Sequence, residues 1–466
     1  MRTSNRLLRR LGFSAILVGS MAGGAMAQEP AAPAQGGAPA PAPAAATPAT
    51  PTPAPAATSP QAAPAATPAH ADILYASDAG IIDTFSGASC DGSCGQACGT
   101  CQVDCCQSCC APLFWGSVEA LGWWQKGNDV PALVTTSTPG TAEADAGVLG
   151  LATTTVLVGE QFLPYDVVPG GRFTIGHWLD ASQEHSVRAR YWILSSSTYD
   201  NTQVSDGGRI LAVPFVDLNL GVESSNIIAF PNAAAGILSG NINVHSVSNF
   251  NGGDVLLGTP IYRDATRRMD LIAGYTFSRQ SETFSISTLS NTQAVAQGPI
   301  IETITTLDQF ATTNEFHGGT LGISMQRQVN LFSVDLLAKV AFGDMRQTTF
   351  INGTTTTTNG AGIQVDNNGI FAQSTNIGRL VDNRFCVVPE VNLNFGYFIC
   401  PCLKLYAGYS FLYWSSVARP GAQIDRVINL AAQGPIPVGD PRPAHPAIIS
   451  NNTWLQGVNA GLEYRF

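Results

Sequence analysis

Eight of the eleven cysteines stand within 21 residues, at Cys90, Cys94, Cys98, Cys101, Cys105, Cys106, Cys109 and Cys110. In an exported chain, thiols this dense oxidise to disulfides, and eight of them allow 105 pairings. The spacings Cys98-x-x-Cys101 and Cys106-x-x-Cys109 would equally supply thiolates to a tetrahedral zinc ion. Bonds to another chain are a third use. Histidine is absent from the cluster and adjacent Cys-Cys pairs suit a disulfide knot, so no metal and no cofactor is assigned. Cys386, Cys400 and Cys402 make the total odd. At least one thiol therefore stays reduced or bonds another chain. Cys400 and Cys402 flank Pro401 in an expected turn, which a disulfide to another cysteine would brace.

The second chemically capable set is a scatter of single charges. Charged residues make up 12% of the 466, about half the ~25% of soluble domains. Glu119, Arg188, Arg190, Asp270, Asp335, Lys339, Glu390, Glu463 and Arg465 each sit on the polar phase of an alternating run. Lining a bore, they would set ion preference; paired with one another, they would plug it. Arg419 and Asp425, in the last long loop, read as a loop-bracing ion pair or as residues folded into the mouth.

Catalysis is not indicated. A hydrolase needs a nucleophile, a base and an orienting group together, and the six histidines (His70, His177, His185, His245, His317 and His445) form no such constellation. No phosphate-binding glycine loop occurs. The net charge of −10 excludes a basic nucleic-acid binder.

Arg2, Arg6, Arg9 and Arg10 precede an apolar stretch from Leu11 to Gly23 that closes with Ala25-Met26-Ala27, the pattern of a cleaved secretory signal over residues 1–27. Its removal takes four Arg and no acid, leaving 19 − 33 = −14. Residues 28–71 are rich in Ala and Pro, too poor in apolar surface to fold, and read as an extended tether toward periplasmic or cell-wall material. The cysteine-rich segment occupies 72–112 and the folded region 113–466.

After Pro112 the pattern alternates at period two, the signature of strands. Val458, Ala460, Leu462, Tyr464 and Phe466 oppose Asn459, Gly461, Glu463 and Arg465. Leu271, Ala273, Tyr275 and Phe277 oppose Asp270, Gly274, Thr276 and Ser278. A soluble β-sandwich with glycan-binding loop aromatics such as Trp414 shows the same alternation. Several features favour apolar faces turned outward to lipid. The runs match the ~9–11 residues of a tilted membrane strand. Aromatics collect near run ends (Trp115, Trp123, Trp124, Trp192, Tyr397, Tyr413, Trp414, Tyr464 and Phe466), as interfacial girdles require. Strands are expected near 114–124, 171–179, 186–195, 255–263, 269–280, 314–326, 331–343, 384–397, 402–413 and 453–466. Their gaps alternate long and short, as in an outer-membrane barrel with long outer loops and short periplasmic turns. The fold class is thus all-β, an antiparallel transmembrane barrel of about 10 strands. Ile210–Leu220, Glu282–Leu289 and Ile300–Leu307 are expected as hairpins above the membrane that would otherwise raise the count to 12–14.

One region is more specific. It runs through Val387-Val388-Pro389-Glu390, Phe395-Gly396-Tyr397, Tyr406-Ala407-Gly408-Tyr409-Ser410-Phe411-Leu412-Tyr413-Trp414-Ser415, Arg419-Pro420-Gly421 and Gln423-Ile424-Asp425-Arg426-Val427-Ile428-Asn429. With Phe310-Ala311-Thr312-Thr313-Asn314, Phe316-His317-Gly318-Gly319 and Trp115-Gly116-Ser117-Val118-Glu119, it resembles the outer-membrane β-barrel porin family numbered type seven, over 113–466. The resemblance implies location in the bacterial outer membrane, contact with its lipid, and barrel architecture. Passage of small solutes through a narrow lumen is the function expected, with a structural barrel as the alternative.

Overall fold

A computed structural model describes residues 112–233, 236–295, 298–430 and 439–466. The expected leader, tether and cysteine cluster fall outside these residues, apart from Pro112.

Ten strands close a ring. They are β1 (Phe114–Gln125), β2 (Val168–Trp178), β3 (Ser186–Leu194), β4 (Gly236–Arg263), β5 (Arg267–Gln293), β6 (Ile300–Val329), β7 (Phe332–Asn359), β8 (Gly378–Cys400), β9 (Leu403–Ala418) and β10 (Ser450–Arg465). Each pairs antiparallel with its sequence neighbour among the ten, and β1 pairs with β10 to shut the barrel. Closure leaves no open edge in hydrocarbon, where an unpaired backbone group is costly. It also removes the sandwich alternative, since the ten strands close on themselves instead of forming two open sheets packed face to face.

Turns at one end are short. Asn330, with φ +54°, bends the two-residue connection from β6 to β7, a conformation Asn tolerates better than most residues. Asp180 and Asp264 cap the turns after β2 and β4. Backbone N–H groups of Glu184 and His185 donate to Asp180, and those of Thr266 and Arg267 to Asp264. These donors stabilise the ionised form and hold both carboxyls down at about 2.

Around the ring the outward phase is apolar over a band: Val255 and Leu257 on β4, Leu271 to Phe277 on β5, Leu321 on β6, Phe332 to Phe342 on β7, and Phe385 and Phe395 on β8. Phe385 is 70% exposed and Leu321 59%, which makes sense only against acyl chains.

At the other end β4 to β7 do not stop. They run on for 27 to 30 residues each, adding roughly 50 Å of strand length beyond the band at ~3.3 Å per residue. Glu282–Leu289 and Ile300–Leu307 are continuations of β5 and β6, so the ring stays at ten strands. Above the band the inward phase becomes the apolar one. Ile242, Val244, Phe284, Ile286, Phe310 and Ile351 pack with Leu211, Val213, Phe371 and Ile428 from the long connections. Those connections carry short strands of their own, Leu211–Asp217 and Val222–Ala233 paired with each other. Val427–Ile428 lies parallel to the first of these. The result is a head with a dry centre standing on a barrel.

Candidate functional site

The interior is built in levels by side chains of the inward phase. Nearest the short turns, Lys404 Nζ lies 3.1 Å from Asp335 and 2.9 Å from Glu463, and Arg465 Nε is 2.9 Å from Glu463. Arg268 is 2.9 Å from Asp270 and stacks over the Trp178 ring at 4.2 Å. These residues wall a cavity of about 490 Å³.

One level up, Arg172 donates to both oxygens of Glu119 and to Asn392 at 2.8 Å. Asn459 donates to Glu119 at 2.9 Å. Asn392 in turn donates to Glu390 at 2.6 Å, linking this pair to a cyclic quartet. In the quartet Arg190 reaches Asp254 and, at 2.8 Å, Glu390. Lys339 reaches Asp254 at 2.6 Å and Glu390 at 2.9 Å. Both cations thus touch both carboxylates, and all four side chains are at most 6% exposed. Buried charges of this kind add little net stability against an apolar filling, but leaving one unpaired costs about 3–5 kcal/mol.

Above the quartet the filling turns aromatic. Trp123, Trp192 and Trp414 follow one another with centroids 5.6 and 6.5 Å apart, flanked by Phe250 and Phe316. Trp414 Nε1 donates to Ser278 Oγ at 2.9 Å. Small residues make the room. A Cβ on Gly252 would sit 2.8 Å from the Trp192 ring, and one on Gly457 2.8 Å from that of Trp123. The next level is an Arg419–Glu282 pair at 2.6 and 2.9 Å, and above it the core of the head begins.

The nine sequence-predicted charges all point inward. Eight of them have a carboxylate or cation partner. The exception is Arg188, which makes no ion pair among the described residues. Arg419 and Asp425 do not pair with each other. Arg419 dives into the barrel mouth to Glu282, whereas Asp425 holds Arg442 at 2.9 Å and the backbone N–H of Ala444 at 3.0 Å. A buried guanidinium takes the carboxylate at its own depth, and Asp425 lies in the loop above.

The girdle expectation is corrected in part. Trp124, Tyr397, Tyr464 and Phe466 stand on the outer face. Trp115, Trp123, Trp192 and Trp414 fall on the inward phase; the last three are buried, so Trp414 is not a loop aromatic awaiting a glycan. Cys402 is disulfide-bonded and Cys400 Sγ lies 3.6 Å from its Sγ; Cys386 is a buried thiol.

Interior charges that escaped the sequence reading include Arg172, Lys404, Arg268, Asp254 and Glu282. Arg172 and Lys404 lie on the inward phase of expected strands. Asp254 sits one residue before an expected strand start, and Glu282 was assigned to a hairpin. Carrying each alternation two residues past its apparent end finds the last two.

A ring of ten antiparallel strands with a lipid-facing band and a polar interior defines a transmembrane β-barrel. The sequence model of the family described as "Putative beta barrel porin-7 (BBP7)" matches residues 115–466, and the chain belongs to that outer-membrane barrel family. No curated protein matches it. Solved structures with a similar trace include the outer membrane protease OmpT of Escherichia coli, at 10% identity and TM-score 0.36, covering 76% of this chain and 97% of that one. The toluene transporter TodX of P. putida is similar at 8% identity and TM-score 0.17, over 76% and 90%. A Pseudomonas aeruginosa FadL homologue is similar at 7% identity and TM-score 0.20, over 76% and 90%.

Proposed function

We propose that the protein is a closed outer-membrane barrel that holds a folded head outside the cell, without a standing path for solutes. The observation that carries this reading is the continuous filling of the bore: ion quartet, tryptophan layer, Arg419–Glu282 pair and head core follow one another. An aqueous channel needs a wider ring; about eight strands give an interior that side chains fill, against 16–18 for open porins. In this reading the barrel is a non-enzymatic scaffold, exported by the N-terminal signal. The Ala/Pro tether is, in the same reading, a link to periplasmic or cell-wall material. The alternative, passive diffusion of small solutes, draws support from the cavity of about 490 Å³ at the short-turn end.

Planar-bilayer recording separates the two. The full chain should insert without current steps, while Trp414→Ala combined with Trp192→Ala, checked for heat-modifiable migration, should conduct. Reproducible steps from the unaltered chain would overturn the closed barrel in favour of a diffusion pore.

A further inference from the structure

Arg188 is the odd member of the interior. It projects from β3 into the cavity at the short-turn end. Its Nε is buried and has no hydrogen-bond partner, a costly arrangement for a charged donor unless something else accepts it. The nearby carboxylates are spoken for: Asp270 is held by both oxygens to Arg268, and Asp254 and Glu390 by the quartet. The surroundings reinforce the point. In a chain of net charge −10, five of the seven arginines and lysines on the walls of this cavity are held by carboxylates, and Arg188 and Arg263 make no ion pair among the described residues. A positive, low-dielectric recess focuses anions. Its volume is within the range of small-ligand sites, and Gln183, Asn394 and Ser117 line it with neutral hydrogen-bonding groups.

We infer that this cavity is a binding site, entered from the periplasmic end, for a small anionic solute bearing a phosphate or carboxylate group, with Arg188 as its anchoring cation. Arg188 is half-buried with its Nε sealed off, so it is the outer edge of its guanidinium, facing the cavity, that offers paired N–H donors to phosphate or carboxylate oxygens. The quartet above closes the site on the side of the head, so the solute leaves the way it came. This goes beyond the closed-barrel reading and does not depend on it, since binding at Arg188 is possible whether or not the barrel conducts.

The test uses the full chain folded in detergent, titrated with inorganic phosphate and, separately, citrate. Heat is measured by calorimetry, and the fluorescence of Trp115 and Trp178, which line the cavity, is followed in parallel. At least one probe should bind saturably, and which one tells phosphate from carboxylate. Arg188→Gln should weaken that binding about tenfold or more, the scale of a charge-assisted hydrogen bond. Arg279→Gln, on the outer face, should leave it unchanged. If Arg188→Gln loses heat-modifiable migration, Arg188→Lys replaces it, keeping the charge but removing the planar guanidinium, and should also bind more weakly. Absence of saturable binding by either probe, or equal binding by the folded Arg188 variant, would overturn the site. Conductance by the unaltered chain would overturn only the closed barrel.

Discussion

Strand β5 passes through two solvents in one register. Below, its outward column reads Leu271, Ala273, Tyr275, Phe277; above, the same column reads Arg279, Ser281, Thr283, Ser285. The inward column changes in the opposite sense, from Asp270, Thr276 and Ser278 to Phe284 and Ile286. No bulge interrupts the β5–β6 ladder there. The geometry is constant and only the chemistry inverts, which shows that neither face of a β-strand is intrinsically the core. The face away from water is apolar: outward in the membrane band, inward in the head. The level of the switch is marked by Arg279, Glu315 and Arg346, register partners across β5, β6 and β7, whose charged groups approach to 3.7 and 3.8 Å.

The comparison can be broken in order of effect. The interior of the band should be most sensitive at Asp254, which both quartet cations touch. Asp254→Ala should cost about 3–5 kcal/mol, read as a lower midpoint of heat-modifiable unfolding; a change under about 1 kcal/mol would mean the quartet is not a coupled unit. Next, one arginine placed on the outer face of β6 should be costly at Leu321, about 2–4 kcal/mol in lipid, and nearly neutral at Thr313 in the head, within about 0.5 kcal/mol. Equal penalties at the two positions would put the water boundary elsewhere.

The smallest effect is a pH dependence confined to the head. Asp308 on β6 accepts the backbone N–H groups of Ile370, Phe371 and Ala372 at 3.0, 3.0 and 2.7 Å. Burial, outweighing these donors, pushes its carboxyl up to about 6. A carboxyl raised on folding favours the folded state most when protonated. Its contribution is complete below the unfolded value near 3.8 and declines as pH rises through about 6. Amide exchange at residues 369–373 should therefore be better protected, after correction for intrinsic rates, at pH 4.5 than at pH 7.5. Asp308→Asn should remove that difference.

The inversion also explains what the sequence hid. Ten strands were legible because alternation marks them whatever solvent they face. Strands β4 to β7 seemed to end near the band because the apolar residues jump from odd to even positions after Phe277 and from even to odd after Phe342, which reads as a broken run. Asp254 and Glu282 were lost at those false ends. Trp123, Trp192 and Trp414 lay near run ends, where an aromatic caps the membrane or plugs the bore depending on parity alone, and it was location rather than parity that guided the reading. The pairing of Arg419 with Glu282 joins residues 137 apart, beyond any local spacing rule.

Because β4 to β7 run unbroken from the short turns to the top of the head, a pull on that head does not load a hinge. Tension travels along four covalent backbones, and the rungs between them resist in shear, many at once, instead of parting one by one. Such a post would pass force from the head to the short-turn rim with little give.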